Sequence, residues 1–214
     1  MLCYAVPEKT AQQSYDFIEH YEIIFMAVFV ILVILLVLYI VHENYRRDQE
    51  LMKYAQTDAL TGLYNKETTK LRTDEILSTD KDMIHAFLIL DMDCFKQIND
   101  GYGHAVGDIV LQKFGQLLRD IFREDDIVGR IGGDEFVVVM KNIKMKEMAI
   151  AKAEELLTKT QQYEIKELNG SAISISIGIA MAPEDGDCYM DLYKRADQAL
   201  YQAKRSGKAR VCGY

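Results

Sequence analysis

The sequence predicts an α+β fold, with a mixed β-sheet covered by helices and one transmembrane helix before it. The run from Ile23 to Val41 contains no charge, glycine or proline and is long enough to cross a bilayer. Two short β-branched runs flank the pair Gly132-Gly133, which is typical of a hairpin. The rest of the chain mixes single apolar runs with helical patterns, which favours a sheet covered by helices.

The apolar run at 23–41 is predicted to be a single transmembrane helix. About 19 residues that rise 1.5 Å each span roughly 28 Å, close to the thickness of the hydrocarbon core. A helix buried in a soluble core would be expected to carry a polar face, and this run has none. A cleaved signal peptide is disfavoured because acids precede the run and no small-residue cleavage site follows it.

The charges beside this run predict its orientation. Lys9 is the only base before it, whereas three bases follow, at Arg46, Arg47 and Lys53. Because basic flanks stay in the cytoplasm, residues 1–22 are expected to be a short extracytoplasmic N-terminus. The protein is therefore expected in the inner or cell membrane as a single-pass protein with its C-terminal domain in the cytoplasm.

The segment that follows, 42–56, is charged and helix-prone. It is either a signalling helix that pairs with a second copy or a solvated linker of a monomer, since it holds only about two heptads. The cytoplasmic domain is expected to occupy 57–214.

Net charge and cysteine spacing argue against two classes of function, nucleic-acid binding and cysteine-bound metal. The formal net charge of −8 argues against non-specific binding of nucleic acid. The four cysteines show no metal-ligand spacing, and in a cytoplasmic domain they are expected to be reduced thiols. They are Cys3, Cys94, Cys188 and Cys212.

Hydrophobic periodicity predicts the order β-α-β-β-α-β-α after an opening helix. Strands are predicted at 84–90, 127–131, 136–140 and 173–181, with a short closing strand at 209–212. Helices are predicted from near Asn65 to about Thr79, at 95–99, 109–122, 145–160 and 189–205.

Acidic residues at two of these strand ends are candidates for a metal site. Asp91 ends a buried strand, and Asp134-Glu135 lie in the Gly-Gly turn. Neighbouring carboxylates repel one another unless a cation lies beside them, and carboxylates from separate strand ends can converge on a hard cation. A divalent metal carrying a triphosphate would meet that need; the alternative is an ordinary Gly-Gly-Asp turn.

Further polar residues suggest a nucleotide. A glycine-punctuated loop is predicted around Gly101, Gly103 and Gly107. Beside it, Asn99 and Asp108 can present an amide and a carboxylate edge to a base, as guanine requires. Candidates for binding phosphate oxygens are Lys96, Lys204, Arg205 and Lys208. Structural alternatives stay open: Asp93 and Asp100 as helix caps, His104 as a structural histidine, and the C-terminal cations as partners of a helix dipole.

Several motifs in a fixed order between Thr57 and Val211 resemble one family, the GGDEF domain of diguanylate cyclases. They are Asp58–Asn65, Asp91–Asp100, Gly103-His104, Gly107-Asp108, Gly132–Phe136, Ser176–Gly178 and Ala196–Lys204. The resemblance implies a palm-like fold similar to nucleotide cyclases. It also implies that two GTP-loaded domains face each other in a homodimer and form cyclic di-GMP with release of pyrophosphate.

The same resemblance implies roles for individual residues. Mg²⁺ or Mn²⁺ would be bound by Asp91, Asp134 and the Met92 carbonyl, and Glu135 would assist the second metal or the 3′-hydroxyl. Guanine would be bound by Asn99 and Asp108. The triphosphate would be held by Lys96, Lys204 and Lys208. Product would bind as a feedback inhibitor at Arg123 and Asp126, for which a solvated helix-end cluster is the alternative.

The sequence departs from the usual family motifs at a few positions, and functions other than cyclic di-GMP synthesis stay open. Lys66 stands where the family usually has Arg, Lys208-Ala209 where it has Arg-Asn, and Cys94 where it often has Phe. An inactive nucleotide receptor or interaction module is the alternative function, and a cyclase that makes a mixed cyclic dinucleotide is a third.

Overall fold

The computed structural model describes residues 8–54, 56–168 and 172–214. It divides into two compact units, the first ending at Tyr54 and the second containing the rest of the chain. Part of the predicted extracytoplasmic N-terminus, residues 1–7, and one residue of the predicted linker, Ala55, lie outside the described residues.

The first unit contains one continuous helix, α1 (Glu8–Tyr54). No glycine or proline interrupts these residues, so the backbone has no breaker at which to end the helix. Within α1, the segment Ile24–Arg47 is long and apolar enough to cross a membrane. The apolar helix predicted at 23–41 therefore lies inside a longer helix that also includes most of 42–56.

The second unit is built on one five-stranded sheet in the order β2-β3-β1-β4-β5. The strands are β1 (Ile84–Met92), β2 (Ile127–Gly132), β3 (Glu135–Ile143), β4 (Ile175–Ala182) and β5 (Val211–Gly213). The first three pairings are antiparallel, and β4 pairs with β5 in parallel. The predicted α+β class with a mixed sheet is confirmed.

Five α-helices of the second unit surround this sheet within the described residues. They are α2 (Lys66–Thr79), α3 (Phe95–Tyr102), α4 (His104–Ile121), α5 (Lys146–Gln162) and α6 (Tyr189–Arg205), with a short 3-10 helix at Lys166–Leu168. The prediction that the long amphipathic helix begins at Ile109 is wrong, because α4 begins at His104. The predicted loop around Gly101, Gly103 and Gly107 is mostly helical, because Gly101 lies in α3 and Gly107 in α4, with Gly103 between the two helices.

The core has two halves, one on each face of the sheet, because successive strand residues point to opposite faces. Leu88 and Leu90 of β1 pack on the side of α4 and α5, and Phe87 and Ile89 pack on the side of α6. Burial on both faces explains why β1 is almost continuously apolar. It also fixes the register that brings the polar end of β1, at Asp91, opposite the start of β3.

Candidate active site

Two paired strand ends bring the predicted metal carboxylates together. Asp91 and Glu135 are direct partners across the β1–β3 ladder. The Met92 N–H donates to the carbonyl oxygen of Asp134 at 3.3 Å, which holds the turn against the end of β1. The three acids thus share one end of the sheet, although two of them lie more than forty positions from the first in sequence.

The turn that carries Asp134 uses both glycines. Gly132 has a φ of 156° and Gly133 a φ of 48°, and a Cβ at either position would meet no atom of the described residues within 4 Å. The conformation therefore requires glycine because of its backbone angles, while the space beside the turn stays open. This open space leaves the carboxylates accessible to a ligand.

Arg130 of β2 holds this turn from behind, a contact that the sequence analysis did not identify. Its Nε and Nη2 donate to the Gly133 carbonyl oxygen at 2.9 and 2.8 Å, and its Nη1 donates to Asp58 Oδ1 at 3.0 Å. Asp58 also accepts from the backbone and hydroxyl of Thr61. Burial raises the pKa of Asp58, but these hydrogen bonds outweigh it and the net pKa is lowered. The sequence feature that could have indicated this contact is the position of Arg130, a single charged residue within an otherwise apolar strand.

Lys204 of α6 pairs with the most enclosed of the three acids. Its Nζ lies 2.7 Å from Asp91 Oδ2. Burial raises the pKa of Asp91, the Lys204 contact opposes this rise, and the charges of Asp134 and Asp93 add to it. Burial also raises the pKa of Glu135, with further contributions from Asp91 and Asp134. The single positive charge of Lys204 therefore does not balance the negative charges of Asp91, Asp134 and Glu135.

This arrangement fits a hard divalent cation. Carboxylate and carbonyl oxygens are the ligands that Mg²⁺ and Mn²⁺ prefer, and the crowded acids lack enough positive charge to balance them. A different group of ligand atoms, from Asp187, Cys188 and Asp191, lies within 4.8 Å of one another at the start of α6. That group is separate, since Asp187 shares a cavity with His85 at the other end of β1.

The predicted guanine-binding residues lie on two helices in close contact. Asn99 is on α3 and Asp108 is on α4. Gly107 is buried, and a Cβ there would lie only 1.9 Å from Asn99 Oδ1. The absent side chain at Gly107 therefore lets the Asn99 carboxamide rest against α4, one residue from Asp108.

The predicted phosphate-binding lysines approach the end of β1 from two elements. Lys96 is exposed in the first turn of α3. Lys208, in the loop between α6 and β5, donates to Cys94 Sγ at 3.2 Å. This contact raises the pKa of the Lys208 ammonium, and the charges of Asp93 and Asp91 add to the effect. Arg205 is placed differently, because its guanidinium lies over the Tyr201 ring at 5.7 Å from the ring centroid.

The predicted product-binding residues lie in the turn before β2. Asp126 is 7% exposed, and its carboxylate accepts from the backbone N–H groups of Arg123 and Lys141, both at 3.0 Å. The Arg123 side chain is exposed and lines a cavity of about 370 Å³ with Arg119. The carboxylate therefore shapes the turn, while the arginine remains available to a ligand.

Asp93 is a buried acid next to the predicted metal carboxylates, and its contacts differ from those predicted. Asp93 was considered as a helix cap, yet the N-cap of α3 is Cys94 and no side chain caps that helix. The Asp93 carboxylate instead accepts from Ser174, Ser176 and Ala209. Asp100 lies within α3 rather than at its start.

Comparison with known proteins finds matches over most of the second unit. A family model described as "Diguanylate cyclase, GGDEF domain" matches residues 55–210. The chain is 36% identical over 168 residues to diguanylate cyclase DgcS of Shewanella oneidensis, covering 77% of this chain and 55% of that protein. It spans about half or less of the length of the first curated relatives.

Solved structures share the fold of the second unit. The GGDEF domain of TpbB (YfiN) from Pseudomonas aeruginosa matches with a TM-score of 0.69 and 35% identity, over 73% of this chain and 93% of that one. The coiled coil and GGDEF domain of DgcB from Caulobacter crescentus, solved in complex with c-di-GMP, matches with a TM-score of 0.69 and 25% identity. That match covers 81% of this chain and 93% of that one.

Proposed function

This chain belongs to the GGDEF-domain family of diguanylate cyclases, and from that membership we propose that it condenses two GTP into cyclic di-GMP with release of two pyrophosphates. The observation that carries the proposal is the convergence of Asp91, Asp134 and Glu135 at one end of the β1–β3 ladder. These three carboxylates, with the Lys208 side chain in the neighbouring loop, suit phosphoryl transfer, because that reaction depends on positioning and on neutralisation of charge.

The carboxylates divide into two roles in this proposal. Asp91 and Asp134, with the Met92 carbonyl, would hold Mg²⁺ or Mn²⁺. A divalent cation there would neutralise charge on the transferring phosphate. Glu135 would assist a second metal or accept the proton of the 3′-hydroxyl.

The remaining residues would bind the nucleotide. Asp108 would accept from the guanine N1–H and N2–H groups, and the Asn99 carboxamide would bind the same base. Adenine offers no such pair of donors, so Asp108 would select against it. The triphosphate would be held by Lys96, Lys204 and Lys208. Lys204 would have to exchange its contact with Asp91 for a phosphate oxygen when metal and nucleotide bind.

Two copies of the domain are needed for this reaction. Each 3′-hydroxyl would attack the α-phosphorus of the other GTP, so that one O–P bond forms and the bond to pyrophosphate breaks in each half-reaction. Each domain would bind one GTP and its metal, and a two-fold homodimer would bring the two GTP molecules together. We assign the apolar run 23–41, which lies within α1, to the membrane, with Arg46, Arg47 and the catalytic domain on the cytoplasmic side.

Product would also act as a feedback inhibitor. A relative was solved in complex with c-di-GMP, which supports product binding by this family. In this chain the Arg123 guanidinium would pair with a product phosphate or a guanine edge, and Asp126 would accept from guanine. The site lies away from the carboxylates, so that product bound there would couple two distinct sites.

The test is to incubate the purified chain with Mg²⁺ and either GTP or ATP and to identify the products by mass spectrometry. We expect cyclic di-GMP from GTP alone. Asp134→Ala should abolish synthesis and leave the fold intact, because an exposed turn carries little core energy. Asp187→Ala is the matched control, since it removes an exposed carboxylate at the other end of β1.

Three results would contradict the proposal in different ways. Binding of GTP or cyclic di-GMP without any product would indicate a receptor. Equal use of GTP and ATP would indicate a mixed cyclase and a different role for Asp108. Full activity in Asp134→Ala would remove that residue from the metal site.

A further inference from the structure

Asp93 is a buried acid that the proposed reaction does not use. Its side chain is 8% exposed, and it lies two residues after Asp91 at the end of β1. Three donors from distant parts of the chain meet its carboxylate: Ser176 Oγ at 2.8 Å on one oxygen, and Ser174 Oγ at 2.6 Å and the Ala209 N–H at 3.1 Å on the other. Its own N–H donates to the Ser174 carbonyl at 2.8 Å.

The loop that reaches this carboxylate is strained. Gly207, Lys208 and Ala209 have φ values of 111°, 61° and 49° in succession. A left-handed conformation is unfavourable for a residue other than glycine, so that two such residues in succession need restraint from outside the loop. The hydrogen bond from Ala209 to Asp93 is such a restraint, and it lies one residue from Lys208.

The restrained residue carries a side chain of the candidate site. With its backbone held, Lys208 extends across the turn after β1, where its Nζ meets Cys94 Sγ. Without the Asp93 contact, the loop would retain three hydrogen bonds: from the Lys208 N–H to Ala203, from the Ile177 N–H to Arg210, and from Arg210 Nε to the Lys208 carbonyl oxygen. These bonds hold the residues on either side of Ala209, whereas the Ala209 N–H itself donates to Asp93. Asp93 therefore links the position of Lys208 to the strand that ends in Asp91.

We infer that Asp93 is a positioning residue for triphosphate binding, which acts by holding the loop at 207–209 so that Lys208 faces the end of β1. The inference rests on the proposed function, in which Lys208 holds the triphosphate. It predicts that Asp93 matters through its hydrogen bond to the loop, and that its negative charge is not needed for this role.

Three variants separate these contributions. Asp93→Ala removes all three hydrogen bonds. Asp93→Asn keeps them, because the amide oxygen can accept from Ser174 and Ala209 while the amide nitrogen donates to the Ser176 hydroxyl. Ser176→Ala is the matched control, since it removes one buried hydrogen bond to the same carboxylate and leaves the loop contact in place. Should Asp93→Ala fail to fold, Asp93→Ser keeps a polar group there but is too short to hold the loop.

Two measurements on the full chain test the inference. Hydrogen exchange without nucleotide should become faster at 207–210 in Asp93→Ala and stay as slow as the parent in the other two variants. The KM for GTP should rise about tenfold in Asp93→Ala with a much smaller change in kcat, and should stay within about twofold in Asp93→Asn and Ser176→Ala. In a Lys208→Ala background, Asp93→Ala should raise KM less than twofold further, because both changes remove one interaction.

The outcomes are distinguishable. Unchanged exchange in Asp93→Ala, an equal rise of KM in Ser176→Ala, or additive effects with Lys208→Ala would each overturn the inference. A parent chain that neither binds GTP nor forms product would overturn the proposed function instead, and hydrogen exchange would still decide whether Asp93 holds the loop.

Discussion

Arg130 illustrates how one side chain stabilises the turn that carries Asp134. Its guanidinium donates to the Gly133 carbonyl oxygen and to the Asp58 carboxylate at the same time. The side chains of the ion pair are largely buried, with 14% of Arg130 and 24% of Asp58 exposed. Hydrogen bonds in which the donor or acceptor is charged are stronger than those between neutral groups. The pair therefore joins the first residues of the domain to the turn that carries Asp134.

Asp58→Asn should destabilise the domain by about 1–2 kcal/mol near neutral pH, because it removes the charge that Arg130 pairs with. The pKa of Asp58 is lowered in the folded state, so its contribution is present above the unfolded carboxyl pKa and is lost as pH falls through the folded value. The difference in unfolding free energy between parent and variant should thus shrink below about pH 4.

Urea unfolding at several pH values measures this difference. Asp82→Asn, which changes an exposed carboxylate in the turn before β1, is the control and should have little effect. A difference of the same size at pH 3 and pH 7 would contradict the assigned ionic contact.

At the scale of elements, the contact between β4 and α6 positions the helix that carries Lys204. Gly178 lies in the middle of β4, and a Cβ there would lie 2.1 Å from the Ala196 carbonyl oxygen and 2.4 Å from the Leu200 backbone nitrogen. These are backbone atoms of α6, which cannot move without moving the helix. Close approach of α6 to the sheet therefore requires glycine at this position.

Gly178→Ala should destabilise the fold by about 2–3 kcal/mol or more and lower Tm by roughly 5–10 °C, since the added methyl group overlaps backbone. Thermal unfolding measured by circular dichroism gives the comparison. Gly101→Ala is the matched control, because a Cβ there would have no neighbour within 4 Å in the part of the chain that the structure describes. This substitution should be neutral or slightly stabilising. Equal Tm values for the two variants would contradict this prediction, because they would mean that α6 can move away from the sheet without a loss of stability.

The turn before β2 is an element with a proposed regulatory role. Cyclic di-GMP added to the active protein should inhibit synthesis, and Arg123→Ala should weaken that inhibition at least tenfold while keeping the uninhibited rate, because the arginine lies away from the carboxylates. Dose–response curves for parent and variant measure the effect, with Arg195→Ala of α6 as a control arginine. Inhibition of equal strength in Arg123→Ala, or none in the parent, would rule out this site.

At the scale of the whole molecule, the proposed reaction depends on two domains meeting. Activity per domain should rise steeply with protein concentration in a chain shortened to begin at Thr57, since encounter then limits the reaction. The full chain should show a weaker dependence, because a shared membrane and the helix α1 raise the local concentration of partners. Activity and light scattering over the same concentrations test this. A flat profile from a monomeric shortened chain would contradict the two-domain mechanism.

Much of the fold and the composition of the candidate site could be predicted from the sequence. Apolar runs and periodicity identified the long apolar helix and the strands of the mixed sheet, because these patterns depend on which face of an element is buried. The ordered motifs identified the family, which the comparison confirmed. The roles of individual site residues remain proposals.

Only the tertiary structure decided which side chains meet. Asp93 binds groups 81 and more positions away, and Arg130 pairs with Asp58 across 72 positions. The start of α4 was misjudged because Gly107 marks close packing against Asn99 rather than a loop. Periodicity tells which residues face inward but carries no information about their partners, which are set by sheet register and by the packing of α6 and its following loop on the strands.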